Sequence, residues 1–265
     1  MFGSIFTKTL YDKRWFFWGW TLGSVALLAL TAAFFPVLKE NGIDQMFKNI
    51  PASLQSVIGS MTDYGTFSGF VGSAVYGLRA TMLFVPMAII LGYSLSVGEE
   101  SSGRLYQLLA QPVSRSKNIL QKYLAGIWLV FWINVFAAGS VWAVAIAVNE
   151  TIGSDLILKI AAMSSLFSIA IYSVTYGLGA AFGKKGIALM VPIIWVMSSM
   201  LIDAFASQIS QIKDIDFISI NTYYRTPSLV HNAIDIYHVI VLSCISIGSL
   251  LIGWFAFLRR DIKGE

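Results

Sequence analysis

Six long, almost uninterrupted apolar runs constrain this chain more than any motif in it. A hydrocarbon core of about 30 Å is crossed by about 20 helical residues, and inside it the backbone must satisfy its own hydrogen bonds. The runs occupy residues 15–35, 76–97, 124–148, 157–182, 187–205 and 237–258 and are rich in Leu, Ile, Ala and Phe. They predict an all-α, polytopic membrane protein: one transmembrane domain over residues 1–265 with six spanning helices. Composition agrees, with 57% hydrophobic and 12% charged residues and a mean hydropathy of +0.72. Soluble domains carry about 25% charged residues, so an ordinary soluble enzyme is excluded. The first run follows Lys13 and Arg14 as a signal peptide would, but its apolar stretch exceeds the usual length of about 7 to 15 residues. It reads as a retained span. Cys244 is the only cysteine, so no disulfide forms within the chain.

The net charge of +4 raises the question of nucleic acid, and the placement of the charges answers it. Lys8, Lys13, Arg14, Arg104, Arg115, Lys117, Lys122, Lys184, Lys185, Arg259, Arg260 and Lys263 fall on one side of the six spans. Only Lys39, Lys48, Arg79, Lys159, Lys213 and Arg225 fall on the other, with most of the acids. Cytoplasmic loops collect Lys and Arg, so both termini are expected in the cytoplasm and the basic charge reflects topology. Trp15, Phe16, Phe17, Trp18 and Trp20 follow Arg14 at the headgroup boundary, where aromatic rings anchor.

Between the spans, residues 1–14 set Phe2, Ile5, Phe6, Thr9 and Leu10 on one face, as a short amphipathic elbow helix on the cytoplasmic surface would. Residues 99–115 open on Glu99-Glu100-Ser101-Ser102-Gly103, a helix start, place Leu105, Leu108 and Leu109 on one face, and stop at Pro112. A narrow apolar stripe with charged ends suits a groove on a soluble partner, or packing on the chain's own surface. The external connections, residues 36–75 and 207–236, are long for simple turns. In the second, Phe217, Ile218, Ile220, Tyr223 and Tyr224 should dip into the interface or cap a cavity.

Chemistry is thin. No phosphate loop, H-E-x-x-H, C-x-x-C or G-x-S-x-G occurs, so the chain is expected to be no enzyme, and any nucleotide energy must come from another chain. His231, Asp235 and His238 would share a helical face, read as an interfacial polar patch rather than a metal site. Ionisable residues within spans are nearly missing; Arg79 and Asp203 sit near external ends and Asn134 is the main polar residue inside. That favours a cavity for apolar or amphipathic cargo over a proton pathway.

The order of these features resembles the ABC-2-type permeases, membrane subunits of ATP-driven bacterial exporters. The strongest match is E-E-x-x-G-x-L-x-x-L-L-x-x-P-V-S-R after the second span, present as Glu99, Glu100, Gly103, Leu105, Leu108, Leu109, Pro112, Val113, Ser114 and Arg115. Arg104 stands where the family often has a plain polar residue. Ile50-Pro51-Ala52-Ser53-Leu54 to Gly59 and Thr66 to Phe70 look like the external loop of an antibiotic-exporter branch. The tail Phe257-Leu258-Arg259-Arg260-Asp261-Ile262 is similar to the family's closing F-x-R-R-D-I.

The resemblance implies a half transporter in a bacterial plasma membrane. Two permease chains, identical or not, would pair in the bilayer above two copies of a separate ATPase that binds ATP and Mg; this chain would hold no cofactor or metal. Residues 99–115 would be the coupling helix docking on that ATPase, with Glu99, Glu100, Gly103, Arg104, Leu105, Leu108, Leu109, Pro112 and Arg115 as coupling residues. The first, second and fifth spans would line the cargo route. Met82, Phe84 and Met87 beside Pro86, and Trp195, Met197 and Met200 beyond Pro192, are then its candidate lining, since thioethers and flat rings repack around varied apolar ligands. The expected activity is export of a drug, antibiotic, peptide or lipid. The alternatives are a sodium or small-ion exporter of the same superfamily, and a sensory or immunity membrane protein without transport.

Overall fold

The structure, a computed structural model, describes residues 4–42, 65–98, 114–205 and 214–260. The described residues are all helical or irregular, and six helices are long and apolar enough to cross a membrane: Arg14–Glu40, Phe67–Leu95, Arg115–Ala147, Ser154–Phe182, Lys185–Phe205 and Ile236–Arg259. They are called the first to sixth spans below. A short elbow helix, Ile5–Asp12, precedes them.

Polar caps and one glycine set the ends. Ser4, Thr66 and Ser114 each accept, at the side-chain oxygen, a backbone N–H three residues on, and Asp235 accepts from Tyr237, satisfying donors that have no partner inside the helix. The fourth span stops at Gly183, whose φ of +63° is left-handed and favours glycine, so a two-residue link leads straight into the fifth span.

Three limits differ from those expected by five residues or more, among them the third span, which starts at Arg115 rather than near residue 124. The first span continues past residue 35 as the short helix Phe35–Glu40. The second begins at Phe67 rather than near Tyr76, with one α-helical turn, Phe67–Phe70, followed by a π-helix, Val71–Ala80. Gly69, Gly72, Ser73 and Gly77 lower the hydropathy of this stretch, so it reads as loop, yet Phe67, Phe70, Val71 and Val75 are buried. The wider π-helical turn makes room for a neighbour: a Cβ on Gly72 would lie 2.8 Å from the Val230 side chain and 3.2 Å from the Thr226 carbonyl.

The fourth span is the centre of the bundle. On it Gly177 meets Gly253 of the sixth span so closely that a Cβ on Gly253 would lie 2.7 Å from the Gly177 Cα. Small residues at this contact let two backbones approach, the packing mode available where lipid removes the hydrophobic drive between helices. The buried hydroxyls of Ser165, Ser168, Ser173 and Thr175 donate to carbonyls four residues back, which satisfies them within their own helix. Asn134, fully buried in the third span, likewise donates to the Val130 carbonyl at 2.9 Å. Lys39, at the end of the first span, and Glu150, just past the end of the third, pair at 2.9 Å.

At the end of the bundle away from the N-terminal helix, residues 216–230 fold back onto the spans. Ile220, Tyr223 and Tyr224 are buried, with Tyr224 stacked on Phe167 of the fourth span at 4.4 Å, whereas Phe217 and Ile218 stay exposed. Ser199 of the fifth span ties this segment down: its hydroxyl accepts the Ile220 N–H at 3.1 Å and its carbonyl accepts the Ser219 hydroxyl at 3.2 Å. Burial, and after it the Tyr76 phenol, hold the Tyr224 hydroxyl well above the ordinary phenol range, so it stays neutral.

Candidate functional site

Two regions hold the residues that the sequence singles out: the end of the bundle carrying the N-terminal helix, and the second and fifth spans. At the first, the elbow helix is held by one side chain of the third span. Gln121 Oε1 accepts the backbone N–H groups of Ile5 at 2.9 Å and Phe6 at 3.3 Å, two donors that the first helical turn cannot pair itself. Thr9 is buried against the bundle. Arg14 donates to the Tyr11 carbonyl at 2.9 Å while its guanidinium covers the Tyr11 ring at 4.0 Å.

Beside it, three tyrosines lock the third span to the fourth. The Tyr176 hydroxyl donates to the Ile119 carbonyl at 2.9 Å and that of Tyr172 to the Tyr123 carbonyl at 3.3 Å. The Tyr123 and Ser173 hydroxyls share a hydrogen bond of 2.7 Å. Gly126 admits the Tyr172 ring, for any Cβ there would overlap it. The sequence reading missed this lock and Gln121. The only sequence signal for the lock was Tyr172 and Tyr176 one helical turn apart.

Of the coupling residues, Glu99, Glu100, Gly103, Arg104, Leu105, Leu108, Leu109 and Pro112 lie outside the described residues. Arg115 is described at the start of the third span, exposed, with Nη1 3.5 Å from the Arg260 carbonyl oxygen. Trp254 of the sixth span donates to Ser116 at 3.2 Å. The third and sixth spans therefore meet at the start of the third span, and Lys122 is buried close by.

The six proposed cargo residues divide by face. Phe84 and Met87 are 1% and 0% exposed and pack into the chain's own core, whereas Met82 and Met197 are 60% and 56% exposed. Trp195 is half-buried and donates to the Ile218 carbonyl at 3.1 Å, so it anchors the folded-back segment; Met200 is also half-buried. On the second span Leu78, Met82, Pro86 and Ile90 recur every four residues as one exposed stripe. On the fifth, Met190, Ile194, Met197 and Leu201 do the same at helical spacing. These two spans are neighbours, and their outer faces present aliphatic and thioether groups with no partner among the described residues.

His231 does not share a helix with Asp235 and His238, because Asp235 caps the sixth span and His231 precedes it in a turn. Among the described residues no three metal-ligating side chains gather.

Six helices long and apolar enough to cross a membrane, the second, third, fifth and sixth of them packed on the fourth, are the architecture of a multi-pass membrane protein. Residues 9–258 match the family described as "Multidrug efflux system permease Rv1217c, C-terminal domain", and the chain belongs to that family of ABC-2-type multidrug efflux permeases. A comparison with curated proteins finds no match.

Proposed function

We propose that this permease is one membrane half of an ATP-driven exporter for hydrophobic or amphipathic compounds. Two copies face each other across the exposed stripes of the second and fifth spans, and cargo passes between them. The observation that supports this is the unburied apolar face carrying Met82 and Met197, in a chain of a multidrug efflux family. Its aliphatic and thioether character favours an organic cargo over a small ion.

Energy enters from a separate ATPase, two copies of which bind ATP and Mg beneath the bundle. The segment from Glu99 to Arg115 docks on it through Leu105, Leu108 and Leu109. Pairing of the ATPase subunits on ATP shifts the permease pair between two conformations of different cargo affinity, and linkage requires cargo to act back on ATP hydrolysis. The elbow helix and the tyrosine lock make the cytoplasmic ends of the third and fourth spans one stiff unit, which suits transmission of that motion. The bias of Lys and Arg to one side supports cytoplasmic termini in a bacterial plasma membrane.

Co-purification of the permease with its ATPase, wild type against Leu108→Asp, tests the coupling. A buried anchor at an interface commonly contributes about 2 kcal/mol or more, so the charged variant should insert normally, lose ATPase association and abolish cargo-stimulated hydrolysis. Intact association and transport in Leu108→Asp would remove the coupling assignment.

A further inference from the structure

Beside the folded-back segment, between its short helix Thr226–Leu229 and the start of the sixth span, lies a cavity of about 290 Å³. Its apolar walls are Met163 of the fourth span and Leu229; its polar lining includes Ser228, Asn232, Asp235 and His238. Arg225 also reaches it, but that charge is already matched: Arg225 Nη2 lies 2.8 Å from Asp216 Oδ2, and Thr222 donates to the same carboxylate. The second carboxylate is committed on one side only. Asp235 Oδ1 accepts the Tyr237 N–H at 2.9 Å, while Oδ2 stands 3.9 Å from His238 Nε2, beyond hydrogen-bond reach. Ser228 donates its own proton to the Arg225 carbonyl at 2.6 Å, so toward the cavity its oxygen can only accept. Asn232 adds an amide oxygen.

A half-exposed carboxylate with no hydrogen-bonded cation among the described residues, two neutral acceptors and two apolar walls in one small cavity are the complement of a protonated amine carried on an apolar body. We propose that this cavity is an exit-side site for the ammonium end of an amphipathic cargo, with Asp235 as the counter-ion and Met163 and Leu229 holding the adjoining carbon skeleton. The proposal rests on the exporter reading and on cytoplasmic termini, which put the cavity at the outer surface. There a compound leaving the apolar face of the second and fifth spans can place its charge near water and its skeleton on Leu229. An ammonium could also come from an outer-leaflet lipid headgroup, and the test separates the two.

The full-length permease, without ATPase, is placed in nanodiscs of phosphatidylglycerol and titrated with 2-phenylethylammonium, with neutral 2-phenylethanol for comparison. Binding is read by saturation-transfer NMR. The ammonium should bind the wild type at least about tenfold more tightly than the alcohol, as a charge-assisted hydrogen bond predicts. Asp235→Asn keeps a helix-capping side chain but removes the charge, and should erase that preference at an unchanged melting midpoint. Asn232→Leu, at an exposed position, should weaken ammonium binding by about threefold. Repeating the titration with phosphatidylethanolamine in the disc should leave the affinity unchanged; displacement by that lipid would make this a headgroup site and overturn the cargo assignment. Equal ammonium binding in wild type and Asp235→Asn overturns the site even if the complex exports. Binding that follows these variants in a chain that never stimulates ATP hydrolysis would keep the site and remove the exporter reading.

Discussion

The close backbone approach of the fourth and sixth spans gives the sharpest stability prediction. Replacing Gly253 by Ala puts a Cβ 2.7 Å from the Gly177 Cα and 2.8 Å from its carbonyl oxygen. Carbon atoms in ordinary contact stand about 3.5–4.0 Å apart, so the sixth span must retreat from the fourth by about 1 Å. No rotamer change relieves the clash, because both neighbours are backbone atoms. Overpacking of this kind costs about 1–3 kcal/mol, and the better helix propensity of Ala offsets about 1 kcal/mol at most. Gly253→Ala should therefore destabilise the chain by up to about 2 kcal/mol, with the loss concentrated where the fourth and sixth spans touch. Gly248 is the internal control: it lies on the same helix, and a Cβ there meets nothing within 4 Å. Gly248→Ala should be neutral or slightly stabilising. The assay is denaturant titration in mixed micelles, followed by tryptophan fluorescence. Equal midpoints for Gly253→Ala and Gly248→Ala would refute the close-packing argument.

Two further outcomes follow from the ends of the bundle. Gln121→Leu removes the acceptor shared by the Ile5 and Phe6 N–H groups; at about 0.5–1.5 kcal/mol per hydrogen bond, hydrogen exchange of residues 5–12 should accelerate about tenfold with little change in global melting, and unchanged exchange would show that other contacts hold the elbow helix. In a Cys244→Ser background, a cysteine at the exposed Ser228 should react with an impermeant thiol reagent added outside intact cells and one at the exposed Lys117 should not; the reverse pattern inverts the topology.

Much of the architecture is legible in the sequence, because hydrocarbon imposes one requirement on every spanning segment and the answer is about 20 apolar residues in a row. The start of the second span escapes that test: Gly69, Gly72, Ser73 and Gly77 read as loop, and only the packing of Thr226 and Val230 on those glycines explains why they are helical. Faces are harder still. Met82 and Met87 are the same residue type little more than one turn apart, yet one is exposed and the other is core. Lipid-facing, cargo-facing and core-facing residues are alike in composition, so periodicity identifies a helix without choosing its sides. Phe217 and Ile218 differ from Tyr223 and Tyr224 for a similar reason: burial within the folded-back segment is decided by the Phe167 ring and by Ser199, both in other elements. The ammonium site left little trace, since Met163 lies more than sixty residues before Arg225 and Asp235 reads first as a helix cap.

If cargo meets the outer face of the second and fifth spans, that face decides which compounds drive ATP hydrolysis. The decisive measurement ranks a panel of amphipathic compounds by their stimulation of ATP hydrolysis in the reconstituted permease–ATPase complex. Met82→Ala and Met197→Ala should reorder the ranking while basal hydrolysis and assembly persist. Met87→Ala, a truncation in the core, should lower stability by about 2–5 kcal/mol and leave the order intact. An unchanged ranking in both exposed-face variants, or reordering by Met87→Ala alone, would contradict the account and move the cargo route into the interior of the chain.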